Sequence, residues 1–333
     1  MELINEFNKI LGAFKIDAQC VNHQQINNYF YYDLKLKNKT KVKDIERYGD
    51  ELSLALKTPC RPSIKVLHQQ GVVRLEFVSP SSTRLNLLDL FTNKGVPNGQ
   101  INCLLGQNVD GKKVWMDLAQ NPHLIVAGTT GSGKSTLIHN VIANIINYND
   151  VDLFLVDPKN IEFSAYENKF SNLEVVNSYS ETLNMFNALI ETMEFRYERL
   201  RAGTAISSFK SIVVIVDEFA DLIMQDSTGS LYASLLRLAQ KCRAAKIHII
   251  LATQRPSVNI INGTIKANFP ARISCRVASH IDSKVILDSS GAENLLGNGD
   301  AMIRDNFRQM ERFQIAYTNP TEICKFFGAH GNI

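Results

Sequence analysis

Residues 128–135 read Gly128-Thr129-Thr130-Gly131-Ser132-Gly133-Lys134-Ser135, a complete G-x-x-x-x-G-K-[ST] pattern. Its glycines let successive backbone N–H groups turn inward and cradle phosphate oxygens. Lys134 is then placed to reach β- and γ-phosphates, and the Ser135 hydroxyl to ligate Mg²⁺. Thr136 lies beside it at the start of the following helix, so Gly128 to Thr136 form one candidate phosphate-binding segment. The implied ligand is ATP with Mg²⁺. Further along, the apolar run Ser211-Ile-Val-Val-Ile-Val ends in Asp217-Glu218. Asp217 fits the Mg²⁺ shell and Glu218 fits a group that orients the attacking water. A third strand-like run, IHIILA, ends in Thr253-Gln254-Arg255-Pro256. Ligands of α/β sheets sit at the carboxyl ends of strands, so Gln254 is placed either to sense a γ-phosphate or simply as a polar loop residue. Asp157-Pro158-Lys159 also closes a strand, and reads equally as a site element or a capped turn.

These residues need a scaffold that brings strand ends together. Continuous apolar runs at His123–Gly128, Val151–Asp157, Ser211–Asp217 and Ile247–Thr253 read as buried strands. Helical patterns lie between them at Lys134–Asn147, Glu181–Arg201 and Gly229–Arg243. Such alternation predicts an α/β fold: a P-loop core with a mainly parallel sheet covered on both faces.

Residues 1–100 differ, being polar, Asn-rich and short of long apolar runs; they predict a small α+β domain preceding a 101–333 P-loop domain. Lys35, Lys37, Lys39, Lys41 and Lys43 recur every second residue, which puts them on one face of an extended segment interrupted at Asn38. That stripe reads either as a grip on a polyanion or as a solvated strand edge kept from pairing by lysine. Ile45, Leu52, Leu54 and Leu56 suggest a short amphipathic helix, and residues 64–78 a hairpin turning near Gln70-Gly71. Breaks are expected at Ser79–Thr83 and Thr92–Asn98.

Composition sets the class. The 333 residues are 45% hydrophobic and 21% charged, which excludes bulk disorder. No apolar run approaches the roughly 18–20 residues that span a bilayer, and the first residues lack a signal-peptide pattern. The six cysteines (Cys20, Cys60, Cys103, Cys242, Cys275 and Cys324) have no zinc spacing and read as reduced thiols in a cytoplasmic protein. Net charge is only +3, yet residues 237–284 hold nine basic residues against the single acid Asp282, a local +8 in 48 residues. A block of that kind suits phosphates, of nucleic acid or of a neighbouring subunit's nucleotide.

The segments ALIETMEFRYERL, IVVIVDEFADLIM, LLRLAQKCRAAKIHIILATQRPSVNIINGTIKANFPARISCRVASHIDSKVILD and GAENLLGNGDAM resemble the motor of FtsK/SpoIIIE DNA translocases, from about Asp117 to Tyr317. Residues 30–80 are more weakly similar to the small domain that precedes that motor. The resemblance implies a RecA-like fold, ATPase activity and a homo-hexameric ring around double-stranded DNA. It implies that Arg243 is an arginine finger toward a neighbour's ATP, and that Arg255, Lys266, His280 and Lys284 face DNA. His280 departs from a usual lysine, and Lys246 from a frequent glycine. With no membrane-length run, and sixteen residues after Tyr317, the resemblance implies a minimal motor without membrane region or winged-helix domain. Two related readings share the chemistry. One is a phage or plasmid packaging or conjugative coupling ATPase with a portal, relaxase or recombination partner. The other is a protein-export ATPase.

Overall fold

The computed structural model describes residues 2–26, 28–37, 40–79, 84–91, 101–146, 148, 150–308 and 310–328. The expected breaks at Ser79–Thr83 and Thr92–Asn98 fall, Ser79 aside, outside the described residues, as do Asn38 and Lys39.

The chain begins with α1 (Glu2–Ala13), β1 (Ala18–Ile26), β2 (Tyr29–Leu36), α2 (Val42–Arg47), α3 (Gly49–Leu56), β3 (Ser63–Leu67) and β4 (Val72–Val78). The strands form an antiparallel sheet in the order β1-β2-β4-β3. Phe7 and Leu11 of α1, Ile45 of α2 and Leu52 of α3 pack with Leu34, Leu75 and Phe77 of the sheet into one core. Phe7 stacks on Tyr32 with ring centroids 3.9 Å apart. Full burial of each such side chain contributes about 1.5–3 kcal/mol. The hairpin at Gln70-Gly71 is present as β3-β4. The lysine stripe is not: β2 ends at Leu36, while Lys43 lies within α2 and Lys41 caps it, its N–H donating to the Asp44 carboxylate at 2.8 Å. That local cap turns the chain into a helix and breaks the period-2 pattern. The single expected helix is two, divided at Tyr48, and Leu54 points to solvent at 78% exposure.

The remaining elements are α4 (Leu87–Leu90), β5 (Asn102–Asn108), β6 (Lys113–Asp117), β7 (His123–Ala127), α5 (Lys134–Ile146), β8 (Val151–Val156), β9 (Leu173–Val176), α6 (Tyr179–Arg201) and β10 (Ser211–Val216). Then come α7 (Phe219–Gln225), α8 (Ser230–Lys241), β11 (Ile247–Thr253), α9 (Gly263–Asn268), β12 (Ala271–Cys275), α10 (His280–Leu287), β13 (Asp300–Arg304), β14 (Glu311–Ile315) and α11 (Pro320–Gly328). One ten-stranded sheet runs β6-β5-β14-β13-β12-β7-β11-β10-β8-β9. The run from β12 to β9 is parallel, and β13, β14, β5 and β6 extend it antiparallel. The fold is thus a RecA-like P-loop α/β core with a mixed sheet, preceded by a smaller α+β unit.

Strand β10 shows why the parallel strands are continuously apolar. Val213 and Ile215 pack on the α5 face with Leu137, Val141 and Ile145, while Ile212, Val214 and Val216 pack on the α6/α8 face with Phe186, Leu235 and Leu238. Alternate side chains point to opposite faces, and both faces are covered. Leu87 and Leu90, which precede the expected division at residue 100, also pack under this sheet. Among the described residues no helix is long and apolar enough to cross a membrane.

The two sheets meet at a buried charged cluster. Asp300, at the start of β13, accepts hydrogen bonds from the Tyr29 hydroxyl of β2 at 3.0 Å, from Arg312 Nε at 2.8 Å and from the Leu296 N–H at 2.8 Å. Arg312 Nη1 donates in turn to Ser63 Oγ of β3 at 2.9 Å.

Candidate active site

The glycine-rich loop links β7 to α5, which places the amino end of α5 at the carboxyl edge of the parallel strands. Gly131 and Gly133 take φ of +75° and +109°. A Cβ on Gly133 would stand 2.6 Å from the Gly299 backbone, so that position admits only glycine. A second glycine loop holds the first from outside: the Asn298 and Gly299 N–H groups donate to the Gly131 and Ser132 carbonyls at 3.2 and 2.9 Å. Thr129 N–H donates to the Arg276 carbonyl at 2.9 Å. Among the described residues the buried Ser132 hydroxyl has no oxygen or nitrogen partner and lies beside the Cys275 thiol.

The structure brings the three sequence motifs together. Lys134 is buried, and its Nζ lies 2.7 Å from Asp217 Oδ1 and 3.0 Å from the Asp217 carbonyl. Glu218 accepts the Thr253 hydroxyl on Oε1 at 2.6 Å and the Gln254 N–H on Oε2 at 2.9 Å. Gln254 Oε1 in turn accepts the Thr130 hydroxyl at 2.9 Å. The Gln254 residue therefore touches the phosphate loop through its side chain and the acidic strand end through its backbone.

Ser135 Oγ donates to Glu162 Oε1 at 2.9 Å. Glu162 Oε2 lies 3.6 Å from His139 Nε2, and His139 Nδ1 lies 3.0 Å from the buried Tyr166 hydroxyl. The facing His139 ring holds the Glu162 carboxyl below its ordinary range, aided by the Ser135 hydroxyl and opposed by burial. The motif reading missed Glu162. Its signal was Asp157, whose Oδ2 accepts the N–H groups of Ile161, Glu162 and Phe163 at 2.8, 2.8 and 3.0 Å. Asp157 is thus the pivot of a capped turn that delivers Glu162, while Lys159 pairs with Asp221 of α7 at 2.6 Å.

Arg243 stands apart. It follows α8 and precedes β11, so it sits at the amino edge of a strand parallel to β7. Seven residues of β11 separate it from Gln254, a rise of about 23 Å. It lines a separate cavity of about 650 Å³ with Asp117, Tyr197 and Lys241. Arg243 therefore cannot reach the phosphate loop of its own chain. Lys246 ends that turn at φ +55°, the left-handed region that favours glycine, and its Nζ donates to the Phe209 carbonyl at 2.9 Å.

The basic run does not form one face. Arg237 pairs with Glu194 at 3.1 Å. Lys266, buried Arg272 and Arg304 all converge on Asp288, just beyond the run, so Lys266 is held in an ion pair. Arg255, His280 and Lys284 are exposed. Arg255 directly follows Gln254, and His280 and Lys284 stand one turn apart on α10.

The FtsK/SpoIIIE family model matches residues 91–209 and 200–258. The DNA translocase FtsK of Chlamydia muridarum (strain MoPn / Nigg) is 36% identical over 322 residues, covering 88% of this chain and 40% of that protein. The DNA translocase FtsK of Lactococcus lactis subsp. cremoris (strain MG1363) is 36% identical over 299 residues, covering 82% and 39%. The chain thus spans about two fifths of the length of these relatives. In fold it is similar to the pCW3 conjugation coupling protein TcpA, with a TM-score of 0.68 at 20% identity over 98% of this chain and 99% of that one. It is also similar to the cytoplasmic domain of the Thermomonospora curvata type VII secretion ATPase EccC, with a TM-score of 0.63 at 19% identity over 75% and 35%. With half its length matched by the family model and its motifs gathered at one strand edge, the chain belongs to the FtsK/SpoIIIE family.

Proposed function

We propose that the chain is an ATP-driven motor for double-stranded DNA, working as a homo-hexameric ring. The observation that supports this best is the convergence of Lys134, Asp217, Glu218 and Gln254 on the phosphate loop, in a chain of this family. Loop amides and Lys134 bind the phosphates of ATP. The residues fit Mg²⁺, since the Ser135 hydroxyl and Asp217 carboxylate are hard oxygen donors beside a phosphate cradle, and Mg²⁺ takes few protein ligands when phosphates supply the rest. Bound there, Mg²⁺ neutralises charge developing on the transferred phosphoryl group. Glu218 holds and receives the proton of the attacking water. Its Thr253 and Gln254 partners fix the carboxylate, and Gln254 ties its position to Thr130.

Arg243 acts in trans on a neighbouring subunit's nucleotide, a reading supported by its distance from its own loop. Arg255, His280 and Lys284 face the DNA, and Lys266 contributes there only after leaving Asp288. On the alternative reading as a packaging or conjugative coupling ATPase, residues 1–100 carry the partner-docking surface. ATP hydrolysis measured at low salt with and without long duplex DNA tests the proposal. Stimulation that disappears in Lys134→Ala supports it; hydrolysis indifferent to DNA overturns it.

A further inference from the structure

The phosphate loop, Glu162 and Gln254 account for only part of the lining of a cavity of about 670 Å³, a volume within the range of nucleotide-sized sites. The same lining also takes in Asn28, Val78, Arg84, Leu85, Leu296 and Tyr317. None of these belongs to a phosphate-binding motif. Two of them are planar and already stacked: the Arg84 guanidinium carbon lies 4.0 Å from the centre of the Tyr317 ring.

The stack is held by backbone rather than by side-chain chance. The Tyr317 N–H donates to the Leu85 carbonyl at 2.6 Å, and the Leu87 N–H donates to the Tyr317 carbonyl at 2.9 Å. Asn86 and Tyr317 form a parallel bridge between them. The segment before β5 and the segment after β14 are thereby locked side by side at the cavity mouth. Arg84 remains exposed and Tyr317 half-buried, so the pair presents surface to a ligand.

We propose that Arg84 and Tyr317 form the platform that recognises the nucleoside base, with the Arg84 guanidinium stacking on a purine ring. Guanidinium planes stack on aromatic faces and nucleobases, whereas a lysine ammonium has no plane to offer. A nucleotide whose phosphates lie on residues 129–136 has this wall within reach of its base, because one cavity takes its lining from both. The apolar neighbours Leu85, Val78 and Leu296 suit the flat, weakly polar base better than a phosphate. The inference rests on the nucleotide reading above and adds to it the residues that select the base.

Calorimetric titration of the full chain with ATP, CTP and inorganic tripolyphosphate tests it. Arg84→Ala and Tyr317→Ala are expected to weaken ATP binding about tenfold or more, a scale set by base stacking on side chains. CTP binding is expected to weaken less, and tripolyphosphate binding not at all. Arg84→Lys is expected to behave like Arg84→Ala, and Tyr317→Phe like the wild type. An equal loss of tripolyphosphate binding, or restoration by Arg84→Lys, makes Arg84 a phosphate contact and overturns the proposal. So does unchanged ATP affinity in Arg84→Ala. Tripolyphosphate binding that is lost in Lys134→Ala reports on the phosphate loop by itself. A base platform that fails while this control holds therefore leaves the nucleotide reading standing.

Discussion

Replacing Glu76 by glutamine is expected to stabilise the protein at neutral and alkaline pH and to leave it unchanged in acid. Glu76 lies on β4, opposite Tyr31 of β2 and Ser63 of β3, and is 3% exposed. Burial pushes its carboxyl up to about 7 from an ordinary 4.5, against the pull of Lys65, Arg312 and Arg74. The sign follows from linkage. Below pH 4.5 both folded and unfolded chains carry the proton, and the side chain costs nothing. Between 4.5 and 7 the unfolded chain has lost its proton and the folded one has kept it, so stability falls as pH rises. Above 7 the loss is complete. The difference between 7 and 4.5, at about 1.36 kcal/mol per pH unit, gives a penalty of roughly 3 kcal/mol. Glu76→Gln keeps the size and removes the ionisation. Thermal melts of both proteins from pH 4.5 to 8 should show a gap in melting temperature that is near zero in acid and grows to several degrees by pH 8. A variant that melts below the wild type at pH 8, or a gap independent of pH, refutes the reasoning.

Three further outcomes follow from the site and its supports. Arg243→Ala should keep ATP affinity and lose hydrolysis by about a thousandfold, the scale of a trans-acting arginine. Mixing it with Lys134→Ala subunits should restore part of the rate, whereas wild-type turnover in Arg243→Ala alone would falsify the assignment. Asp288→Asn tolerates the left-handed backbone at φ +59° but leaves buried Arg272 without its carboxylate. Asp288 is itself exposed and Arg272 keeps its Phe269 and Lys266 carbonyl partners, so the loss is about 1 kcal/mol, visible as a slightly lowered denaturation midpoint, and an unchanged midpoint would contradict the ion-pair reading of Lys266. Gly133→Ala should abolish ATP binding, because its Cβ meets the Gly299 backbone and its φ is +109°; retained binding would show that the loop does not need this geometry.

Strands β7, β8, β10 and β11 of the parallel run were legible because they are mostly apolar and lead directly into the glycine loop or into Asp157, Asp217 and Gln254, whereas β9 and β12 of the same run, one carrying Glu174 and the other Arg272, were not. The strand ends at Asp217 and Thr253 needed only register to bring Glu218 and Gln254 together. Strands β5, β6, β13 and β14 escaped because they are short, polar in part and antiparallel. In β12, Arg272 sits inside an otherwise buried strand, where its side chain is anchored by the Phe269 and Lys266 carbonyls. Glu162 was hidden by its position after a turn, with no periodicity to mark it. Arg84 and Tyr317 were hidden by distance, since they stand 233 positions apart and meet only where a backbone bridge joins Asn86 to Tyr317. The Lys35–Lys43 stripe misled for the opposite reason: a period-2 pattern persisted across a strand end and a helix cap.

Asp300 has a consequence for control. One carboxylate holds Tyr29 of the small sheet and, by accepting the Leu296 N–H, steadies the glycine loop that clamps Gly131 and Ser132. Any free energy by which nucleotide reshapes that loop is therefore felt at the small sheet, and the exchange runs equally in reverse. A molecule that grips the small sheet more tightly in one nucleotide state must change nucleotide affinity by the same factor. The small sheet is in this sense a throttle, wired to the phosphate loop through the buried Asp300 and its partner Arg312.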